Sequence, residues 1–137
     1  MWHIWFVELS VCESSFSRER ERIVIRRKQD MRVVMRENVR GGEGTLRCTD
    51  MLEPSECFGK INLCALIEIE PGQSVGVHAH GPDAEMYYML EGRLTATDNG
   101  TETWLEEGDV MLTGDGGTHS VRNDGDQKAT LMAVVIA

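Results

Sequence analysis

From Met31 onward, apolar and polar residues alternate over short runs separated by glycine, proline, asparagine and aspartate. Alternation with a period of two sends successive side chains to opposite faces of a half-buried strand, so the pattern predicts β structure throughout. Residues 31–35 read as an edge strand, and Gly41-Gly42-Glu43-Gly44 as a flexible loop after it. Residues 45–48 add a short strand, and Pro54-Ser55 marks a turn. A strand over 62–70 is stopped by Pro71-Gly72. Strands over 75–80 and 85–90 follow, joined through the turn residues Gly81-Pro82-Asp83. Residues 93–97 and 101–105 alternate on either side of Asp98-Asn99-Gly100, a hairpin signal. Strands at 110–112, 118–123 and 129–136 complete the series. Many short strands between such turns imply an all-β sandwich or barrel.

Residues 1–30 break this pattern. Met1-Trp2-His3-Ile4-Trp5-Phe6-Val7 is apolar, but Glu8 ends it before a membrane span could form. With no cationic stretch before it and no small-residue cleavage site, a secretory signal is not expected. The charged run Arg18-Glu19-Arg20-Glu21-Arg22 follows. A helix over 17–28, capped by Ser17, competes with a strand around Ile23-Val24-Ile25. The segment reads either as an arm that docks on a partner subunit through Trp2, Trp5 and Phe6, or as an upstream extension with the native start at Met31 or Met35. The change in charge and composition favours the extension. The expected organisation is therefore an N-terminal extension over 1–30 and one barrel over 31–137.

Composition narrows the function classes. A chain of 137 residues with 41% hydrophobic side chains holds one core and no second domain of ordinary size. Its net charge of −9 argues against nucleic acid, which needs clustered cations. The charge is uneven: nine of the fourteen Lys and Arg residues fall within 18–40. Cys12, Cys48, Cys57 and Cys64 lack Cys-x-x-Cys spacing, so reduced thiols in a cytoplasmic protein are expected, with Cys64 as a small buried hydrophobe. No membrane association is expected.

The chemistry concentrates between Gly72 and Asn123. His78 and His80 are one residue apart in a predicted strand and so share a face. Glu85 opens the next strand across a tight turn, and His119 lies in a third. Three imidazoles and one carboxylate form a nitrogen and oxygen set suited to a divalent transition metal. Tyr87, two residues beyond Glu85, shares its inward face and is either a barrel-wall residue or a proton donor. Met89 is expected as wall. Met86 and Tyr88 face the other way, into sheet packing or a subunit interface. Trp104 is read as core or interface, and His3 as a surface residue. Arg47 is the one cation on the early strands positioned to reach an anionic substrate, although a solvated surface arginine is the commoner outcome. Asn123 is expected to serve a turn or to support the ligands from behind.

The spacing Gly72-x5-His78-x-His80-x4-Glu85-x6-Gly92 resembles the first cupin motif at every fixed position. Gly108-x5-Gly114-x-Gly116-x2-His119-x3-Asn123 resembles the second, with Gly114 where that motif usually has proline. The resemblance covers about residues 60–137. It implies an all-β double-stranded β-helix, the cupin jelly-roll barrel, with His78, His80, Glu85 and His119 around a divalent metal (Mn, Fe, Ni, Cu, Zn or Co). Small cupins usually dimerise, so a homodimer is implied, with Tyr88, Leu90 and Trp104 as candidate interface residues. The reaction is not implied, because similar cupins include dioxygenases, isomerases, decarboxylases, lyases and binding domains. The closing strand offers no acid, base or cation, which weakens a sugar-acid isomerase reading. Two expectations follow: a metal-dependent enzyme acting on a small organic substrate, with dioxygenase-type chemistry marginally ahead of isomerase or lyase chemistry on a sugar-derived acid, or a metal-containing binding or sensory module without turnover.

Overall fold

The alternation is realised as ten strands in the computed structural model, which describes residues 23–137. They are β1 (Arg32–Glu37), β2 (Thr45–Leu52), β3 (Ile61–Ile69), β4 (Ser74–His80) and β5 (Ala84–Glu91), then β6 (Arg93–Asp98), β7 (Thr101–Glu106), β8 (Val110–Thr113), β9 (Gly117–Arg122) and β10 (Ala129–Ile136). Two antiparallel sheets result, ordered β1-β2-β3-β10-β5-β8 and β4-β9-β6-β7. The chain passes repeatedly from one sheet to the other, and the two face each other as the expected jelly roll. The β6–β7 hairpin turns through Asn99 and Gly100, both at positive φ, the geometry that matches strand twist in a two-residue connection.

Inward side chains from both sheets make one core, but its two ends differ. Along β5 the buried residues run from Glu85 through Tyr87 to Met89, and along β9 from His119 to Val121. In β10 the inward face is Leu131, Ala133 and Val135, with Val135 beside Glu85 and Leu131 beside Met89. One end of the barrel is thus aliphatic, and the other presents imidazole and carboxylate.

A local irregularity sets this arrangement. In the β4–β9 ladder Val75 pairs with Val121 and His78 with His119, so β4 spends three residues where β9 spends two. The extra residue is a β-bulge at Gly76-Val77. Plain alternation from the inward Val75 would turn Val77 inward and His78 out. The bulge reverses the phase, leaving Val77 exposed while His80 is buried and His78 faces the barrel.

Gly76 has a second role. A Cβ there would lie 2.2 Å from the Arg40 carbonyl oxygen, and one on Gly42 would lie 2.3 Å from the Ser74 carbonyl oxygen. Only glycine at both positions lets the two backbones cross so closely. Residues 38–44 are stitched down further: Asn38 N–H donates to the Gly44 carbonyl (2.9 Å), Ser74 N–H to the Glu43 carbonyl (3.0 Å) and Glu43 N–H to Ser74 Oγ (2.8 Å). The expected flexible loop is instead a strap fixed across β4.

Other expectations also change. Residues 23–27 form neither the helix nor the strand expected around Ile23-Val24-Ile25, and among the described residues a 3₁₀ turn, Lys28–Asp30, is the one element before β1. The rest of the expected helix, Cys12, and Trp2, His3, Trp5 and Phe6 lie outside the described residues. The strand expected at 45–48 runs to Leu52. Arg47 points outward and pairs with Glu68. Trp104 is exposed rather than core, with the Arg93 guanidinium 3.3 Å from its ring centroid. Cys48 and Cys57 are buried and Cys64 half-buried, all as free thiols. No helix among the described residues is long and apolar enough to cross a membrane.

The crossing predicts that Gly42→Ala destabilises the fold by about 1–3 kcal/mol, because two backbones must separate. Gly81→Ala, where a Cβ meets nothing within 4 Å, is the matched control and should be near neutral. Urea unfolding of the two variants checks this, and equal stabilities would refute the crossing.

Candidate metal centre

Three strands bring the site together. His78 and His80 come from β4, His119 from β9 and Glu85 from β5, so the imidazoles belong to one sheet and the carboxylate to the other. Glu85 Oε2 lies 3.1 Å from His78 Nε2, 2.9 Å from His80 Nε2 and 2.9 Å from His119 Nε2. His78 Nε2 and His119 Nε2 are 3.0 Å apart. The rings meet at steep angles, with interplanar values of 73°, 62° and 88°, so their nitrogens approach one point from different directions.

The far nitrogens are all held. His78 Nδ1 lies 2.8 Å from the Gly76 carbonyl oxygen, His80 Nδ1 3.0 Å from Asp83 Oδ1, and His119 Nδ1 2.9 Å from Thr113 Oγ1. Each Nδ1–H donates to its partner, which fixes the ring orientation and turns Nε2 toward the shared point.

Electrostatics agree with this packing. Burial works against the Glu85 anion, but hydrogen bonds from His119 and His78 prevail and bring its pKa down to about 2. Burial also works against a charged His78, yet the hydrogen bond to Glu85 and the Gly76 carbonyl hold its pKa above the ordinary value. Tyr87 stacks on His119 at 4.7 Å between centroids and 10° between planes. Burial, then the neighbouring Glu85 charge, push its phenol well above the ordinary range, so it stays protonated as a donor.

The donor set fits a divalent transition metal. Four ligand atoms lie within 4.8 Å of one another, three neutral nitrogens and one ionised oxygen. Ligands at right angles around an ion, each about 2.1 Å from it, lie about 3 Å from one another. The spacings of 2.9–3.1 Å around Glu85 Oε2 match that edge.

A cavity of about 340 Å³ leads to this cluster. His78, His80, Glu85 and Tyr87 form its inner wall, Val39, Leu46, Leu63, Ile67, Val75 and Val135 its aliphatic sides, and Arg36 and Arg40 its cations. Arg47 is not among these residues: of its two expected outcomes, the surface position is the one realised. The supporting partners Asp83 and Thr113 were missed; Asp83, three residues after His80, carried the one available signal, masked by its value as a turn residue. Asn123 is buried and serves the turn, donating from Nδ2 to the carbonyls of Ile69 and Gln127 at 2.8 Å each. The proline-to-glycine departure falls at a place where a Cβ on residue 114 would lie 3.1 Å from Ala84 Cβ, and the Gly116 N–H nearby is anchored to the His80 carbonyl.

Fold and centre together define a small jelly-roll barrel built around a histidine-carboxylate cluster. Residues 65–135 match the cupin domain model, and the chain belongs to the cupin family. It is 36% identical over 99 residues to an oxalate-binding protein of Thermotoga maritima, covering 72% of this chain and 82% of that protein. It is 30% identical over 82 residues to tetracenomycin polyketide synthase protein TcmJ of Streptomyces glaucescens, covering 60% of this chain and 55% of that protein. Among solved structures it is similar to a predicted oxalate decarboxylase from Thermotoga maritima, with a TM-score of 0.78, 33% identity, and coverage of 82% of this chain and 98% of that one.

If the cluster holds a metal, titration with Mn, Co, Ni or Zn raises the melting temperature. Ligand at a hundredfold its Kd contributes about 2.7 kcal/mol by mass action. His119→Ala abolishes this rise, and Asp83→Ala weakens affinity by about 10- to 100-fold while keeping stoichiometry. Protons compete for the imidazoles, and a raised His78 pKa means that competition begins above about pH 6.5 as the pH is lowered. Full metal content in His119→Ala would show that the cluster is not the site.

Proposed function

We propose that this chain is a metal-dependent cupin enzyme that acts on a small organic acid within the barrel, with His78, His80, Glu85 and His119 as the metal ligands. The observation that carries the reading is the cavity itself, whose inner wall is formed by His78, His80 and Glu85 of the cluster together with Tyr87. A divalent ion held there supplies Lewis-acid polarisation of a substrate oxygen, or redox chemistry with dioxygen. Tyr87 is the proton donor: its phenol is held protonated by burial and by Glu85, and stacking on His119 fixes its direction. Val39, Leu46, Leu63, Ile67, Val75 and Val135 give the cavity an apolar side, beside the polar Arg36, Arg40, Cys48, Asn62 and Asp83. The inward face of the closing strand, Leu131, Ala133 and Val135, offers no acid, base or cation, which favours oxygen-consuming, dioxygenase-type turnover over sugar-acid isomerisation.

A second reading is binding without turnover, supported by the relative named as an oxalate-binding protein. One experiment separates the two. Metal-loaded protein is screened with oxalate, 2-oxo acids and small diketones under air and under nitrogen, following oxygen consumption and products. Turnover supports the enzyme, and Tyr87→Phe should then lower kcat by about 10²-fold while metal content is kept. Saturable oxalate binding with no product under either atmosphere would favour the binding module.

We also propose a homodimer formed through the outer face of the larger sheet. Val33, Thr49, Leu66, Met132, Tyr88 and Val110 lie in register across all six strands, and Cys64, Val134, Met86 and Leu112 form a second row beside them. Val110 and Leu112 are 60% and 68% exposed, an apolar face suited to a second copy. Light scattering should give a dimer that Leu112→Glu converts to monomer; a wild-type monomer would remove the proposal.

A further inference from the structure

We infer that Arg40 is the second anchor of an organic dianion, a dicarboxylate with an aliphatic middle, whose other end occupies the metal centre. This rests on the reading of the cluster as a metal site and deepens it by naming a substrate class.

The two cations of the cavity differ in availability. Arg36 is committed, because its Nη2 lies 2.9 and 3.0 Å from the two oxygens of the buried Asp50 carboxylate. Arg40 makes no ion pair and no side-chain hydrogen bond among the described residues, whereas Arg26, Arg32, Arg47, Arg93 and Arg122 are all paired. A guanidinium that lines a cavity without a carboxylate of its own is free to receive one, and its planar fork matches that group.

The backbone has been bent to put it there. Arg40 sits in the left-handed region at φ 55° and ψ 29°, a conformation unfavourable for a residue with a Cβ. Gly41, Gly42 and Gly44 follow immediately, yet the strained position holds an arginine. Such strain persists only where the surroundings over-determine it. Here the surroundings are the strap: Gly41 N–H donates to the Asn38 carbonyl (2.9 Å), Gly42 N–H to the Val39 carbonyl (3.0 Å), and the Gly42–Gly76 crossing locks both to β4. The Arg40 carbonyl rests on Gly76, whose own carbonyl holds His78. The free cation is therefore pre-positioned relative to the metal ligands, and its charge is felt at both His78 and Tyr87.

The cavity that Arg40 shares with the cluster has a largely aliphatic remainder, with Val39, Leu63, Ile67 and Val135 among its walls. A two-carbon dianion at the metal end would leave most of about 340 Å³ empty. A longer chain fills the apolar middle and brings a terminal carboxylate to Arg40.

The test is calorimetric titration of metal-loaded protein with succinate, glutarate and adipate, and with butyrate, valerate and hexanoate as monocarboxylates of equal length. The best dicarboxylate should bind at least tenfold tighter than its partner. Arg40→Gln should erase that advantage without changing metal content. Arg40→Gly should erase it as well while raising the melting temperature, since glycine relieves the strained φ. An advantage retained in Arg40→Gln, the absence of any dicarboxylate advantage in wild type, or loss of metal from both variants would each overturn the proposal. Metal-free wild type that binds the dicarboxylate as tightly as the loaded protein, with Arg40→Gln still weakened, would leave Arg40 standing and sink the metal reading instead.

Discussion

The site depends on one inserted residue. Without the bulge at Gly76-Val77, β4 would keep a single phase from Val75 to its end, and both histidines would point into solvent. The apolar end of the core would be unchanged, so the barrel could still close; what would be lost is the convergence of β4, β5 and β9 on one point. Gly76 combines three duties. It carries the irregularity, admits the backbone of residues 38–44, and offers its carbonyl to His78 Nδ1.

The second constraint is the buried charge of Glu85. A carboxylate only 4% exposed is tolerated because one of its oxygens faces three imidazoles. Those imidazoles are themselves buried or half-buried and need partners at their other nitrogens. Gly76, Asp83 and Thr113 meet that need, and no buried side-chain polar atom is left without a hydrogen bond among the described residues. The polar end of the barrel is thus a closed network, and rotating any one ring would orphan another group.

Much of this was legible in the chain. Strand periodicity gave the β-strands from β3 to β10 nearly in full, and the x-His-x-His spacing with Glu85 and His119 marked the residues that converge. Asn99-Gly100 announced its hairpin through the conformations those residues accept. The failures have a common cause, since they concern contacts between distant segments. Nothing local distinguishes the Gly42 of a strap from that of a loose loop, because the contact that fixes it is made with Ser74. Nothing local decides between a substrate contact and a surface position for Arg47 until register places Glu68 opposite it, and nothing local marks Arg40, whose carbonyl meets Gly76 of β4 only in the folded chain. Trp104 reads as core or interface by residue type, and its position opposite Thr95 in the β6–β7 ladder turns it out of the core.

The division of the cluster between sheets has a mechanical consequence. Three of its members belong to the smaller sheet and one to the larger, and Thr113 of the larger sheet steadies His119 from behind. An ion held by this set is a cross-link between the two halves of the sandwich, placed at the end of the barrel where aliphatic cohesion is weakest. With an ion bound, opening the halves would require breaking coordination bonds rather than sliding apolar surfaces, and the gain in resistance would lie chiefly in the rate at which the protein comes apart.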